Sequence, residues 1–283
     1  INFINKSTQL YLTQNRCKTL LKILMNKTLL TLLLTLISLT TFGQNAEKLN
    51  KQSLKHIENQ EFDKAIPLLE KAAELGNAES QYNLGYCYQA GIGVEQNTET
   101  AIKWYSKSAE QGWNDGLYQM MMAYGSGNGV QQDFNKAFSY ALKCAENGDG
   151  TCMFNLISCY KEGMGTDKSI DKMLEWAIRL GKIENPENLQ KSGYITSARL
   201  NLAYIYRDGI DVEQDFFKSY QWFLIFNEFK RDFSFIQQQQ IVKEIQDLES
   251  RITTKQKENG QNEAEKIIDR PLKNMANLYK AEM

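Results

Sequence analysis

The side chains of this chain that could carry chemistry are few. His56 is its single histidine, so a two-histidine metal site cannot form and one imidazole is left to act as a base. No partner motif surrounds it, and it reads as a satisfied or solvent-facing helix residue. Ser158-Cys-Tyr-Lys161 spells S-x-x-K, the nucleophile motif of penicillin-recognising enzymes, and Ser126-Gly-Asn128 and Lys191-Ser-Gly193 imitate its companion motifs. The S-x-N copy, however, precedes the nucleophile, the lysine copy falls in a loop, and no strand exists to carry it. Gly125-Ser-Gly127-Asn-Gly129 has the glycines of a phosphate loop but lacks the Lys-Ser/Thr that reaches phosphate and Mg²⁺, and it follows a helix. No catalytic, cofactor or metal residue is assigned, and the chain is read as not an enzyme.

The elements that must position these residues come from a pattern that returns along the chain. A step of 36 residues takes Tyr82 to Tyr118, Tyr88 to Tyr124, Gly91 to Gly127, Gly93 to Gly129, Val94 to Val130, Ala101 to Ala137 and Gly112 to Gly148. A second step lands on Phe154, Tyr160, Gly163 and Gly165. Such a period marks a solenoid of stacked modules. Within one module, Tyr82, Leu84, Gly85 and Tyr88 share a helical face; Gly91 and Gly93 permit the reversal that ends this helix. Ala101, Ile102, Trp104, Tyr105 and Ala109 then resume helical spacing in a second, antiparallel helix. The alanines and Gly85 allow close helix approach, and Trp104 fills the space between repeats.

These residues resemble the Sel1-like repeat, a cousin of the tetratricopeptide repeat. The signature is matched by Ala78, Tyr82, Leu84-Gly85, Tyr88, Gly91 and Gly93-Val94, then Ala101, Trp104-Tyr105, Lys107, Ala109 and Gln111-Gly112. The next repeat departs from it, with Met120-Met121 in place of Leu-Gly and Tyr140 in place of tryptophan. The one after has Thr166 for the valine and a second helix read as shortened, ending near Gly181. The resemblance implies an all-α, right-handed α-solenoid (superhelix) of stacked antiparallel helix pairs, of an exported bacterial type.

With 283 residues, 42% of them apolar, and a formal charge of −1, the chain can bury a substantial core. It shows none of the basic bias of a nucleic-acid binder. Leu29 to Leu39 is an apolar run of eleven between Lys27 and Thr41-Phe42-Gly43, which reads as a signal peptide from Met25 to about Gly43, too short to span a membrane comfortably. Residues 1–24 are then an upstream leader, and the mature chain is expected in the periplasm or secreted, with no membrane span after cleavage. A tetratricopeptide-like first repeat is placed at 45–77. Sel1-like repeats follow at 78–113, 114–149, 150–182 and 194–232. The last brings Tyr206, Gly209 and Trp222 into register after a loop insertion at 182–193, with Asp211 in place of the second glycine. Two capping helices are expected in 233–283, with Thr253 or Thr254 opening the second and Pro271 ending it.

Export would permit disulfides. Cys87 and Cys159 hold the same repeat position, which suggests packing, and Cys152 and Cys159 stand seven residues apart on one helix, about 10 Å of rise, so they cannot pair. Free buried thiols are the default, with a Cys144 bridge to Cys152 or Cys159 across the turn at Gly148 as the alternative.

By analogy with tetratricopeptide positions, the first helices line a concave groove faced by Tyr86, Gln89, Met122, Ser158, Lys161, Tyr204 and Arg207. Inter-repeat packing is the competing reading for the aromatic ones. The function implied is a non-enzymatic scaffold of the cell envelope that binds another protein or peptide. The alternative is a hydrolase of cell-wall peptides or β-lactams using Ser158 and Lys161.

Overall fold

The computed structural model describes residues 43–229 and 235–275, and among these there are twelve helices and no strand. They are α1 (43–58), α2 (Phe62–Glu74), α3 (Ala78–Ala90), α4 (Thr98–Glu110), α5 (Asn114–Ser126) and α6 (Phe134–Glu146), followed by α7 (Gly150–Glu162), α8 (Ile170–Lys182), α9 (Leu189–Asp208), α10 (Phe216–Glu228), α11 (Phe235–Glu249) and α12 (Thr254–Ile268). The chain divides into two compact units, Ile1–Trp104 and Tyr105–Met283. The leader and all of the signal segment before Gly43 lie outside the described residues, as do 230–234 and 276–283.

The 36-residue period has a capping chemistry of its own. Asn97, Asp133 and Ser169 recur at that interval and each accepts from the backbone N–H three residues on, at 2.9, 3.0 and 3.4 Å; Asp215 does the same at 2.9 Å. The N–H of each of these caps donates in turn to the carbonyl of Tyr88, Tyr124, Tyr160 or Tyr206, at 2.8–3.0 Å. The end of each first helix is thereby tied to the start of the second, and each cap contributes about 1 kcal/mol. In three repeats a lysine from the second helix, Lys136, Lys172 or Lys218, also lies 4.9–5.3 Å from the centroid of that tyrosine ring.

In the first unit, α2 packs against α3 around buried Ile66, Leu69, Ala73, Leu84 and Cys87, with Ile57, Tyr88 and Trp104 partly buried at the edge. Asn50 on α1 donates to Glu79 (2.7 Å) and accepts from the Ser80 hydroxyl (2.7 Å), which satisfies a buried polar cluster. Gly93 is required here: its φ is +68°, and a Cβ would come within 2.8 Å of Ile66 Cγ1.

In the second unit α5 packs on α6, α6 on α7, α7 on α8, α8 on α9 and α9 on α10. The last turn of α4 sits so close to α5 that a Cβ at Gly116 would meet Ser108 Oγ at 2.6 Å. The core is densest at α10, where Ser219 through Glu228 are all buried among α9, α11 and α12. After exposed Lys218, the run Tyr-Gln-Trp-Phe-Leu-Ile-Phe has no polar face to offer solvent, and neighbours surround it accordingly.

Three details differ from the sequence reading. The second helix of the third repeat is α8, and at 13 residues it is as long as α6 rather than shortened. Ser169 caps it, and buried Trp176, two periods after Trp104, fills its centre. The insertion expected at 182–193 is irregular only over 183–188, because Asn188 caps α9 and the extra residues prolong that helix to 20. The added turns are held against α7 by the stacked rings of Tyr194 and Phe154 (4.7 Å) and by buried Ile195. Finally, α12 opens with a capping box of Thr253 and Gln256 and stops at Asp269, whose left-handed φ of +54° ends it before Pro271.

Candidate partner-binding face

Helix α7 is the centre of the face. Asp149 caps it by accepting from Cys152 N (3.0 Å), and Cys144 of α6 is joined to Cys152 by a disulfide, with Cα atoms 5.7 Å apart. Of the states the sequence left open, free thiols by default or a Cys144 bridge to Cys152 or Cys159, the bridge to Cys152 is the one formed: the short turn 147–149 brings the end of α6 to the start of α7, and only Cys87 and Cys159 are free among the described cysteines. Cys144, Asp149 and Cys152 hold potential metal donors within 4.8 Å of one another, but the sulfurs are spent in the bridge and Asp149 serves the helix.

With Cys152, Met153, Leu156 and Tyr160 buried, Phe154, Asn155, Ile157, Ser158, Cys159 and Lys161 of α7 open on two cavities. The first, about 310 Å³, lies among α5, α6 and α7 and is lined by Met121, Met122, Phe134, Ala137, Asn155, Ser158, Cys159 and Met164. Three of its large apolar side chains face solvent, with Met122 at 45%, Phe134 at 47% and Met164 at 39% exposure. Burial pushes the Cys159 thiol above its ordinary pKa, so it lines this cavity as a small apolar group and not as a thiolate.

The second cavity, about 300 Å³, lies among α7, α8 and α9. Phe154, Ile157, Met173, Ala177, Ala198, Leu202 and Ile205 form its apolar lining, and Ser158, Lys161, Asn201, Tyr204 and Asp211 bring polar groups. It coincides with the break in the repeat. At Gly165, the glycine of the preceding repeat, an added Cβ would run into the Phe134 carbonyl and Phe138 of α6. Asp211 holds the same turn position with a φ of +58° and carries a side chain, and this cavity lies beside it.

The structure thus places Ser158, Lys161 and Tyr204 on one cavity, and Met122 with Ser158 on the other. Arg207 is occupied elsewhere: it donates to Asp208 (2.7 and 2.8 Å) and to Glu244 of α11 (2.7 Å). Asp208, and then Glu244, hold its guanidinium above the ordinary value. Tyr204 carries that guanidinium at 4.5 Å from its centroid, and burial, followed by Glu244, raises its phenol. Tyr86 and Gln89 belong to the first unit, where Tyr86 is 48% exposed and Gln89 half-buried.

Among the described residues Ser158 and Lys161 form no hydrogen-bonded serine–lysine pair. The Ser158 hydroxyl faces the Phe154 carbonyl of its own helix at 3.5 Å. Ser126 donates to Met122 O, and Lys191 faces Asp149 at 3.7 Å, so the companion motifs are engaged in helix ends. His56 Nδ1 meets Glu61 at 2.6 Å, a local pair at the α1–α2 turn.

Sequence reasoning missed Arg199. It is fully buried, donates to Gly181 O (2.8 Å), Asn185 Oδ1 (2.6 Å) and Ile183 O, and lies 3.6 Å from the centroid of Phe229. These bonds pin the 183–188 segment, so α9 keeps its place opposite α7. Burial, and behind it Arg270, depress the guanidinium pKa to about 9. The repeat register held the signal: Arg199 stands at the offset of Leu117 and Met153, which are both buried.

The profile of the Sel1 repeat matches residues 59–77, 78–113, 116–149 and 196–225. The chain carries four Sel1 repeats. Residues 150–182 fall outside those matches, yet α7 and α8 keep the glycine turn and the cap of their neighbours. The fold is similar to the crystal structure of a Sel1 repeat protein from Oxalobacter formigenes, with a TM-score of 0.55 and 20% identity over 70% of this chain and 84% of that one. It also matches c5321, a protective antigen present in uropathogenic Escherichia coli strains displaying an SLR fold, at 22% identity and a TM-score of 0.38, covering 87% of this chain and 59% of that one. No curated protein sequence matches the chain. Sel1 repeat proteins generally mediate protein–protein interaction and are typically non-enzymatic scaffolds. No helix among the described residues is long and apolar enough to cross a membrane.

Proposed function

We propose that this Sel1 repeat chain is an exported, non-enzymatic scaffold of the cell envelope that binds a segment of another protein across α7. The observation that carries this reading is the exposure of Met122, Phe134 and Met164 around one cavity, with a second apolar cavity on the other side of the same helix. Exposed apolar side chains gathered at a concavity are typical of binding surfaces, and methionine adapts to varied partners. The Cys144–Cys152 bridge supports an oxidising compartment, in keeping with the apolar segment at Leu29 to Leu39.

The test is site-specific crosslinking in the producing cell. A photoreactive benzoylphenylalanine replacing Met122 should give discrete adducts of defined mass, whereas the same group replacing exposed Glu175 on α8 should give none. Equal adducts from both positions, or none from Met122, would count against this face. Edman sequencing of the mature chain should begin near Gln44; retention of residues 25–43 in a cytoplasmic product would overturn export.

A further inference from the structure

Resting on that binding face, we infer that its occupant is an extended peptide segment with two apolar side chains three residues apart and one acidic residue beside the second. The two cavities flank α7 and share Ser158 on their rims. Neighbouring packed helices stand about 8–10 Å apart, and a chain extended as polyproline II advances about 3.1 Å per residue and turns once every three residues, so side chains three positions apart point the same way and reach from one cavity to the other.

The two cavities differ in charge. Apart from the Cys159 thiol, the α5–α7 cavity has no titratable group in its lining and admits any neutral apolar side chain. At the α7–α9 cavity the titratable groups are Lys161, Tyr204 and Asp211. Arg207, one turn along α9 from Tyr204, is already paired with Asp208 and Glu244. Lys161 is exposed, and among the described residues it makes no ion pair. An ammonium that makes no ion pair, on the rim of an apolar pocket, is complementary to a carboxylate on a segment whose apolar neighbour fills that pocket. Asp211, also without an ion pair and on the turn after α9, opposes a second carboxylate. The charge pattern therefore selects a single acidic residue and not an acidic run.

A random heptapeptide display library selected against the full chain, with its disulfide intact, reads this directly. The enriched sequences should share two apolar residues three positions apart, with Asp or Glu next to one of them. Lys161→Glu should exchange that acidic preference for Lys or Arg, and Lys161→Arg should keep it. Met122→Glu should erase one apolar preference and leave the acidic one. A synthetic consensus peptide, followed by fluorescence anisotropy, should bind Lys161→Glu at least about tenfold more weakly than wild type. Enrichment without an acidic preference, or with one that Lys161→Glu leaves unchanged, overturns this inference and leaves the binding face standing. No enrichment above a protein-free control overturns both. A homodimer that Met122→Glu dissociates would make a second copy the occupant and also overturn it.

Discussion

Reducing the Cys144–Cys152 bridge should loosen the helix on which both cavities depend. The bridge closes a loop with a sequence separation of 8, which corresponds to about 2.5 kcal/mol of chain entropy removed from the unfolded state at 25 °C. For a unit of this size that predicts a fall in melting temperature of about 5–10 °C. Urea unfolding followed by circular dichroism, with and without a phosphine reductant, measures the cross-link alone. Cys144→Ala with Cys152→Ala should lose somewhat more, because both sulfurs are fully buried and leave small voids. Peptide mapping of the unreduced protein should find these two cysteines joined and Cys87 and Cys159 open to alkylation after denaturation. The same urea midpoint with and without reductant, or alkylated Cys144 in the unreduced protein, would refute the reasoning.

Other perturbations probe the remaining supports. Arg199→Met should cost about 2–4 kcal/mol in urea unfolding, since it removes charge-assisted hydrogen bonds from one buried and two partly buried acceptors; Arg199→Lys should recover only part of the loss because an ammonium cannot reproduce the guanidinium fork. Gly165→Ala should destabilise by about 2–4 kcal/mol through a left-handed φ and a clash with α6, while Asp211→Gly should stabilise by about 0.5–1 kcal/mol by relieving the same backbone angle. Asp208 is held below the ordinary carboxylate range by its hydrogen bond to Arg207. Its contribution is therefore present above the unfolded value and lost as pH falls through the folded one. Stability of Asp208→Asn should trail wild type by less than about 1 kcal/mol at neutral pH, the pair being partly exposed, and match it in strong acid. A fluorescent penicillin should leave no covalent label, and any label abolished by Ser158→Ala would revive the hydrolase.

The sequence by itself determined the stack. A period of 36 residues with glycine pairs at fixed offsets leaves little freedom, because each turn must reverse within a few residues and each alanine face must accept a neighbour. The caps at Asn97, Asp133 and Ser169 belong to that repeat and were readable from it. Trp176 was equally in register, hidden only by the departures around it. Tertiary structure decided the rest. Local spacing alone could not choose between two partners for Cys144, since that choice depends on how tightly the turn at 147–149 folds back. Nor could it tell that Arg207 is committed to a helix thirty-seven residues away while Lys161, at the equivalent repeat position, makes no ion pair among the described residues. The ten extra residues after α8 could be counted, but not seen to lengthen α9 and set a cavity beside α7. Periodicity specifies which faces are apolar; which of them remain uncovered depends on long-range neighbours that break the period.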